Sequence, residues 1–366
     1  MTSARKPFFS IIVPCCDVEP YIKECLMSVK KQPFKNWECI IGIETSKDKT
    51  EEVVRELTAN DDRFKIFTGP RSGSCSASRN TGTDMAQGEY IIFLDGDDAI
   101  SEDSLQRLYD RIMARPGGDI YTCGMKRFSC LQKMCAGEHD SVFVEFPEVS
   151  HEMNGTEATI LYLDSIVGCQ WMMQLFVFRR DFLRQHGLKC IYGLNGQDYV
   201  FSQQAIYLAK HIIPLHETYY NYRVRPGSVV RSITFNRASG KYYHNLAICI
   251  HALLMFYSSV SEADDFDCRV ASSWGKFWIG RISFEWFLPY RTSRIPRELR
   301  AETLKELFAD GFDSFEKLRK VSSLPTKWAG WWIRVFITHP HLRWVSELFF
   351  KAYFSMHHLK DTINKH

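Results

Sequence analysis

The chain has 366 residues, of which 45% are hydrophobic and 24% are charged. These values are ordinary for a folded globular protein, and they exclude a disordered or collagen-like chain. The 46 basic residues exceed the 43 acidic ones by only three, which excludes a protein that binds nucleic acid through its overall charge. No apolar run is long enough to span a bilayer. The length predicts two domains, or one α/β domain with a large appendage.

The apolar run at residues 8–13 resembles a short signal peptide. Pro14, two cysteines and Asp17 follow it where a cleavage site would stand, so we interpret the run as a buried strand. The twelve cysteines are scattered through apolar stretches, which is typical of reduced thiols in a cytoplasmic protein.

A zinc site is the alternative for one group of side chains. Its members are Cys123, Cys130, Cys135 and His139, whose spacing is wider than the close pairs of structural zinc sites.

Strand and helix patterns alternate over the first 130 residues, which predicts a parallel sheet flanked by helices. The predicted strands are residues 10–13, 39–43, 64–67 and 90–94. Helices are predicted to begin at Pro20, after a capping box formed by Asp48 and Glu51, at Arg79, and after a capping Ser101. The pattern weakens from 125 to 160, which predicts a long loop. Regular patterns return at 170–178, 199–208 and 218–223.

Beyond residue 235 the chain is helical in pattern and rich in aromatic residues, with seven of the nine tryptophans after residue 270. Residues 246–257 are too few to span a membrane and predict a core helix, in which His251 is expected to be a structural histidine. Residues 321–366 carry six basic and two acidic side chains, a net +4, together with many aromatic ones. This composition predicts peripheral contact with a membrane surface. Packing of the aromatic residues onto protein is the alternative.

Three carboxylates, those of Asp95, Asp97 and Asp98, follow the apolar run at 90–94. Ligands of open α/β sheets bind beyond the carboxyl ends of the strands. Mg²⁺ and Mn²⁺ are typically held by one or two carboxylates, with phosphates and water as further ligands. The cluster therefore predicts a metal-bound diphosphate. The alternative, an acidic turn that caps a helix, is less favoured because Arg79 and glycines suited to phosphate binding lie just upstream.

An ordered series of segments extends this pattern: residues 9–14, 19–22, 37–41, 79–82, 88–98, 175–183, 196–201 and 222–228. In this order the segments resemble the inverting GT-A glycosyltransferases of family 2 that make bacterial surface polysaccharides, over residues about 8–232. The resemblance implies an α/β fold of the GT-A type, a Rossmann-like, nucleotide-binding mixed sheet flanked by helices. It divides the chain into a catalytic domain at 1–235 and a helical, aromatic-rich region at 236–366. Within the catalytic domain, 1–125 would bind the nucleotide-sugar and 126–235 the acceptor.

The resemblance also implies a function. A sugar would pass from a nucleotide-diphosphate sugar, by family habit a UDP-sugar, to a hydroxyl of a glycan or lipid-linked acceptor, with inversion, without processive synthesis, and with Mn²⁺ or Mg²⁺ as cofactor. Asp198 would be the general base, and Asp97 and Asp95 the metal ligands. The donor-binding residues would be Pro14, Asp17, Glu19, Glu44, Ser46, Arg79, Asp95 and Gly96. Further candidates for acceptor or phosphate contact are Trp171, Gln197, Arg225 and Ser228.

This sequence departs from the family pattern at three positions. Asp17 replaces the usual Asn, Glu44 and Thr45 replace an Asp pair, and Gln197 replaces the Glu before the base. Gln197 removes a carboxylate beside Asp198, which would lower the pKa of the base by relieving like-charge repulsion. The longer arm of Glu44 leaves the choice of nucleobase open.

Two alternatives to a glycosyltransferase remain, and they belong to different classes. A catalytically inactive scaffold is suggested by the three substitutions, whereas the presence of Asp95, Asp97 and Asp198 argues against it. A sugar nucleotidyltransferase would need a glycine-rich loop after the first strand, which residues 14–17 do not provide. We expect a cytoplasmic protein that does not bind nucleic acid. Peripheral contact with the inner face of the plasma membrane and assembly into a homo-oligomer are left open.

Overall fold

The computed structural model describes residues 6–128, 141–144, 149–165, 171–225, 241–282, 286–287, 296–308, 313–314, 318, 327–343 and 345–349. The chain divides into two compact units. The first comprises Met1–Ala158 and Val167–Ser228, and the second comprises Thr159–Ile166 and Val229–His366.

The first unit is built on one mixed sheet. Its strands are β1 (Phe9–Cys15), β2 (Trp37–Glu44), β3 (Phe64–Gly69), β4 (Tyr90–Phe93), β5 (Ala99–Ile100), β6 (Ile120–Phe128), β7 (Ser141–Val144), β8 (Phe176–Arg179) and β9 (Ile212–Arg223). Their order is β3-β2-β1-β4-β8-β6-β9-β5, and β7 pairs with β6. The first four strands are parallel, whereas β8 runs antiparallel to both β4 and β6.

Seven helices belong to the stretch from residue 19 to residue 208. They are α1 (Glu19–Lys30), α2 (Thr50–Thr58), α3 (Ser76–Met85), α4 (Ser104–Ala114), α5 (Gly155–Asp164), α6 (Arg180–Gln185) and α7 (Gln197–Leu208). All eight residues of β2 are buried, as are six of the seven in β1. Strands covered on both faces are expected to be apolar throughout, which explains the continuous hydrophobic runs in the sequence.

Strand β1 lies between β2 and β4, so the order of the strands reverses at β1. A sheet with this topology opens a crevice at the carboxyl ends of the strands beside the reversal. The polar residues that follow β1, β2 and β4 therefore collect at one edge of the sheet. This is where the sequence places Asp17, Glu44 and Asp95.

The predicted strands at 10–13, 39–43, 64–67 and 90–94 are confirmed as β1 to β4, and the predicted α/β sheet flanked by helices is confirmed with them. The two predicted helix caps are wrong. The Asp48 carboxylate accepts hydrogen bonds from the Thr50 amide and hydroxyl at 3.0 and 2.6 Å, but Glu51 pairs with Arg55 instead of completing a capping box. Ser101 lies three residues before α4 and accepts a hydrogen bond from Asn221.

The prediction of a long loop at 125–160 is also wrong. Strand β6 continues to Phe128, β7 pairs with it, and α5 begins at Gly155. Glycine and polar residues interrupt the apolar pattern of β6 after Cys123, so the sequence hides a strand that occupies an interior position in the sheet. The proposed zinc ligands Cys130, Cys135 and His139 lie outside the described residues. Cys123 is buried, and the nine cysteines that the structure describes are free thiols.

The second unit contains α8 (Lys241–Val260), α9 (Cys268–Ile282), α10 (Arg297–Leu307) and α11 (Lys327–Thr338). The predicted core helix at 246–257 is confirmed within α8. His251 Nδ1 donates a hydrogen bond at 2.8 Å to the Leu307 carbonyl, as expected of a structural histidine. None of the described helices is both long and apolar enough to cross a membrane.

Candidate active site

The turn after β4 is held by a buried carboxylate, Asp98. Its two oxygens accept hydrogen bonds from the Tyr220 hydroxyl at 2.5 Å and from the Arg223 amide at 2.7 Å. The Tyr220 oxygen in turn accepts the Asp95 amide at 3.2 Å. Burial and the neighbouring Asp97 raise the pKa of Asp98 well above its ordinary value. Asp98 therefore fixes the shape of the turn and is not exposed to a ligand.

Arg79 links Asp95 in the turn after β4 to Asp198 in α7. This arginine is only 2% exposed, and its two terminal nitrogens donate hydrogen bonds at 2.7 Å to Asp95 Oδ1 and at 2.7 Å to Asp198 Oδ1. Its helix, α3, packs closely on β1, because a Cβ added at Gly82 would lie 2.6 Å from Cγ2 of Ile12. A planar guanidinium holds two carboxylates in a fixed geometry, which a flexible ammonium group does not.

Asp95 is held from its second oxygen as well. The amide nitrogen of Gln174, a residue that is 2% exposed, donates a hydrogen bond to Asp95 Oδ2 at 2.7 Å. Both oxygens of Asp95 therefore have protein donors in this structure. We call Arg79, Asp95, Gln174 and Asp198 the central cluster. A metal ion bound by Asp95, as predicted, would compete with Arg79 and Gln174 for the two carboxylate oxygens.

Asp97 has a different environment from Asp95. Its Oδ2 accepts a hydrogen bond from Arg225 Nε at 2.6 Å, and its side chain is 22% exposed. Arg223 donates to the Asp97 carbonyl at 2.8 Å and forms an ion pair with Glu24 at 2.6 Å. Two arginines thus stand beside the carboxylate turn, where a diphosphate would need positive charge.

The described residues fit a metal that takes few ligands from the protein. Within the described ranges, no three His, Cys, Asp or Glu side chains come together as a metal site. Asp97 offers one partly exposed carboxylate. Mg²⁺ and Mn²⁺ are commonly bound by one or two carboxylates, with substrate phosphates and water completing the shell. Asp97 is accordingly the residue that would hold such an ion.

Asp198 occupies the first turn of α7, which begins after Gly196 in a left-handed conformation at φ 86°. The positive end of a helix dipole stabilises a carboxylate at this position. Burial nevertheless raises the pKa of Asp198 above its ordinary value, Arg79 lowers it, and the charge of Asp95 raises it. Burial thus outweighs the absence of a carboxylate at position 197, which we expected to lower the pKa. A raised pKa makes Asp198 a better proton acceptor than an ordinary aspartate.

Asp17, Glu19, Glu44 and Ser46 form a second group, which we call the edge group. Asp17 has a positive φ of 52°. Its oxygens accept hydrogen bonds from the Lys47 amide and the Arg71 guanidinium, each at 2.6 Å, and its amide donates to Ser46 Oγ at 3.2 Å. These bonds lower the pKa of Asp17, so it is ionised over the neutral range. The loops after β1, β2 and β3 meet at this point.

Glu44 and Glu19 also bind loop residues. Glu44 is 5% exposed and accepts hydrogen bonds from the Ser72 amide at 2.9 Å and the Ser72 hydroxyl at 2.7 Å. Glu19 accepts the Lys49 amide at 2.9 Å. The charge of Glu44 is therefore satisfied by a serine of the loop after β3. A nucleobase would have to compete with Ser72 for the Glu44 carboxylate, or contact the residues beside Glu44.

Gly96 has little space for a side chain. A Cβ added there would lie 3.1 Å from the Pro14 carbonyl oxygen and 3.2 Å from Cys15 Sγ. The backbone of the acidic turn therefore lies directly against the end of β1. This contact brings the predicted donor-binding residues Pro14 and Gly96 together.

The predicted acceptor-side residues have different surroundings. Trp171 and Gln197 are only 2% and 3% exposed, so neither side chain is open to an acceptor in this structure. Gln197 donates a hydrogen bond to Cys75 Sγ at 3.0 Å. Ser228 lies outside the described residues. Of the three candidates that the structure describes, Arg225 bonds a residue of the acidic turn, Asp97.

Sequence reasoning missed Gln174, Tyr220 and Arg223. Gln174 is 79 residues from its partner Asp95, and Tyr220 is 122 residues from Asp98. Nothing in the local pattern distinguishes Gln174 from a core residue of a short helical turn. Tyr220 and Arg223 lie in a strand that the sequence predicts, but their role depends on the pairing of that strand beside β5 and β6.

Comparison with known proteins identifies the class of protein to which this geometry belongs. The fold is that of Staphylococcus aureus TarS: the crystal structure of residues 1–349 in complex with UDP-GlcNAc has a TM-score of 0.69 and 20% identity, and the match covers 90% of this chain and 88% of that one. The family model for glycosyl transferase family 2 matches residues 10–193, half of the chain. The chain belongs to glycosyl transferase family 2.

Curated relatives resemble parts of the chain. The uncharacterized glycosyltransferase EpsJ of Bacillus subtilis is 28% identical over 227 residues, which cover 61% of this chain and 63% of EpsJ. A GalNAc(5)-diNAcBac-PP-undecaprenol beta-1,3-glucosyltransferase of Campylobacter jejuni is 33% identical over 106 residues, 29% of this chain and 34% of that enzyme. The chain spans less than two thirds of the length of these relatives.

Proposed function

We propose that this protein is an inverting, metal-dependent, nonprocessive glycosyltransferase. It moves a sugar from a UDP-sugar to a hydroxyl of a glycan or lipid-linked acceptor in the synthesis of surface polysaccharide. One observation carries the proposal: the buried Arg79 binds Asp95 and Asp198 at 2.7 Å each. A single guanidinium therefore bridges Asp198, a carboxylate with a raised pKa, and Asp95 in the acidic turn.

The reaction we propose is a single displacement. The acceptor oxygen attacks the anomeric carbon, the new carbon–oxygen bond forms as the bond to the diphosphate breaks, and the configuration inverts. Asp198 accepts the hydroxyl proton during this step, because an aspartate is too weak a base to deprotonate an alcohol beforehand. Arg225, released from Asp97, is placed to pair with the negative charge that develops on the leaving diphosphate.

A divalent ion would be held by Asp97 together with the donor phosphates. When bound, it would supply positive charge that stabilises the leaving diphosphate. Asp95 has a supporting role in this proposal, because its oxygens orient Arg79 and Gln174. This division of roles refines the expectation that both carboxylates of the pair bind the metal.

The donor class is supported by the fold and by the edge group. TarS has been crystallised with UDP-GlcNAc, and its fold is shared over most of this chain. The base and ribose would be bound where β1 and β2 end. Pro14 and Glu44 are in the last residues of these strands, and Asp17, Glu19 and Ser46 follow them. A lipid-linked acceptor is suggested by the Campylobacter relative, whose name specifies an undecaprenol-diphosphate-linked substrate.

Peripheral membrane contact through residues 321–366, which we call the tail, is part of this proposal. One aromatic residue of the tail, Phe336, is not available for that contact. Phe336 is fully buried, with its ring 5.0 Å from that of Phe287 in the second unit. Trp332 stacks on Phe349 at 5.5 Å. Part of the tail therefore packs on protein, and contact with the inner face of the plasma membrane is left to the remaining basic and aromatic residues.

The test is release of UDP from UDP-GlcNAc, UDP-Glc, UDP-Gal and UDP-GalNAc, each with Mn²⁺ and an oligosaccharide acceptor panel. Asp198→Asn removes the base and is expected to lower turnover about 10²–10⁴-fold while UDP still binds. Asp110→Asn makes the same exchange on the exposed face of α4, where Asp110 accepts a hydrogen bond from Gln106 at 2.9 Å, and is expected to behave like the wild type. Absence of UDP release from every donor would favour an inactive scaffold. Release of pyrophosphate from a nucleoside triphosphate would favour a nucleotidyltransferase.

Asp97→Asn tests the metal site independently of catalysis. We expect Mn²⁺ alone, and Mn²⁺ with UDP, to raise the unfolding temperature of the wild type, because a ligand that binds only the folded state stabilises it. This stabilisation is expected to be lost in Asp97→Asn and retained in Asp110→Asn. An equal response of all three proteins to Mn²⁺ would refute the assignment of Asp97.

A further inference from the structure

Tyr192 is exposed on a loop that the structure otherwise holds firmly. The loop joins α6 to α7 and carries Leu188, Cys190 and Leu194, which are 6%, 5% and 3% exposed. Tyr192, between them, is 67% exposed. Burial of apolar surface stabilises a fold, so a ring left exposed brings no such gain in stability.

Three hydrogen bonds attach this loop to helix α3. The side chain of Asn80 donates to the Cys190 carbonyl and accepts the Cys190 amide, each at 2.8 Å. The Gly193 amide donates to Ser76 Oγ at 2.9 Å. Tyr192 is therefore flanked on both sides by residues bonded to α3. An ordered loop presents a ring to a ligand without the entropy cost of fixing a mobile one.

The same contacts place the loop beside the reacting groups. Asn80 directly follows Arg79 in α3, and Asp198 lies six residues after Tyr192. The charges of Arg79 and Asp198 both act on the pKa of Cys190, which burial raises to about 12. The backbone at Gly193 also borders open space, since a Cβ added there would meet no atom within 4 Å. The residues of the edge group, by contrast, lie at the ends of β1 and β2 and in the loops after them, and not in the loop that carries Tyr192.

We propose that Tyr192 is a stacking platform for the sugar ring of the acceptor, a subsite that deepens the proposed function and rests on it. The face of an aromatic ring carries negative charge density, which attracts the polarised C–H bonds on one face of a pyranose. Tyrosine also offers a large contact area with few rotatable bonds. A sugar stacked there would direct a hydroxyl towards Asp198.

The experiment compares wild type, Tyr192→Ala, Tyr192→Phe and Met113→Ala. Met113 is a matched control, a large apolar side chain that is 52% exposed on α4. The acceptor probes are methyl β-glycosides of glucose, galactose, GlcNAc and GalNAc. The measured quantities are the apparent KM of the glycoside in UDP release from UDP-GlcNAc, and the Kd for UDP with Mn²⁺ by titration calorimetry.

We expect Tyr192→Ala to raise the acceptor KM about tenfold, with Tyr192→Phe close to the wild type because the ring is retained. The Kd for UDP should be unchanged, which separates the subsite from a general structural role. An unchanged acceptor KM in Tyr192→Ala, or an equal rise of this KM in Met113→Ala, would overturn the proposal. A higher Kd for UDP in Tyr192→Ala would also overturn it. Absence of UDP release from all four proteins with each of UDP-GlcNAc, UDP-Glc, UDP-Gal and UDP-GalNAc would instead refute the proposed function, and the subsite with it.

Discussion

The two groups of polar residues at the edge of the sheet differ in what binds them. In the central cluster, the carboxylates of Asp95 and Asp198 are bound by buried side chains that lie far away in the sequence. In the edge group, Asp17, Glu19 and Glu44 are bound mostly by loop amides and a serine hydroxyl. Asp17 also pairs with Arg71, a side chain that is 43% exposed.

This difference shows which positions can adapt. A buried guanidinium fixes the geometry and the ionisation of the central cluster, so a change there disturbs both. Loop contacts can rearrange when a nucleotide binds, so the edge group can tolerate Asp17 and Glu44 where the family has other residues. Substitutions in the central cluster should therefore have larger effects than those in the edge group. The following predictions run from the largest effect to the smallest.

Removing Arg79 should have the largest effect on stability. Arg79→Gln leaves two partly exposed carboxylates without their buried cation, and the loss of one partner of a buried ion pair costs up to about 3–5 kcal/mol. Urea denaturation followed by circular dichroism would measure the loss of unfolding free energy. Arg55→Gln, which breaks the exposed pair with Glu51, is expected to cost less than about 1 kcal/mol. Equal losses in the two variants would contradict the contrast drawn between buried and exposed charges.

Replacing Gln174 should have an intermediate effect. Gln174→Leu retains the approximate volume but leaves Asp95 Oδ2 without its donor, at a cost of about 1–3 kcal/mol in unfolding free energy. The control is Gln106→Leu, which removes an exposed amide–carboxylate bond to Asp110 of 2.9 Å. The same urea titration applies to both variants. A smaller loss for Gln174→Leu than for Gln106→Leu would show that Asp95 does not depend on its buried partner.

Neutralising Glu44 should have the smallest effect. Glu44→Gln keeps an oxygen that can accept from Ser72, and a hydrogen bond contributes about 0.5–1.5 kcal/mol. We expect the affinity for UDP, measured by titration calorimetry, to change by less than about tenfold. Glu52→Gln, on the exposed face of α2, is the matched control and should leave the affinity unchanged. A loss of UDP affinity of more than about tenfold in Glu44→Gln would contradict this ranking.

The sequence predicts part of this site for a physical reason. An apolar run that ends in Asp95, Asp97 and Asp98 identifies a buried strand followed by an acidic turn, and both are observed. Only the family resemblance predicts a role for Asp198, because one aspartate in the first turn of a helix has no distinctive local sequence pattern. The partners Gln174 and Tyr220 depend on β8 and β9, whose positions in the sheet follow from long-range pairing.

The role assigned to Asp198 is tested most directly by the pH dependence of kcat/KM for UDP-sugar turnover. Asp198 must be ionised to accept a proton, so kcat/KM should rise with pH through the pKa of Asp198. Burial raises that pKa, so the acidic limb of the wild type should lie above the ordinary aspartate value of about 3.9.

In Arg79→Lys, a single ammonium group cannot contact both carboxylates as the guanidinium fork does, so the pKa of Asp198 is lowered less. The account predicts that the acidic limb of kcat/KM moves to higher pH in this variant. A limb at the same pH in wild type and Arg79→Lys, or at the value of an ordinary aspartate in the wild type, would contradict it.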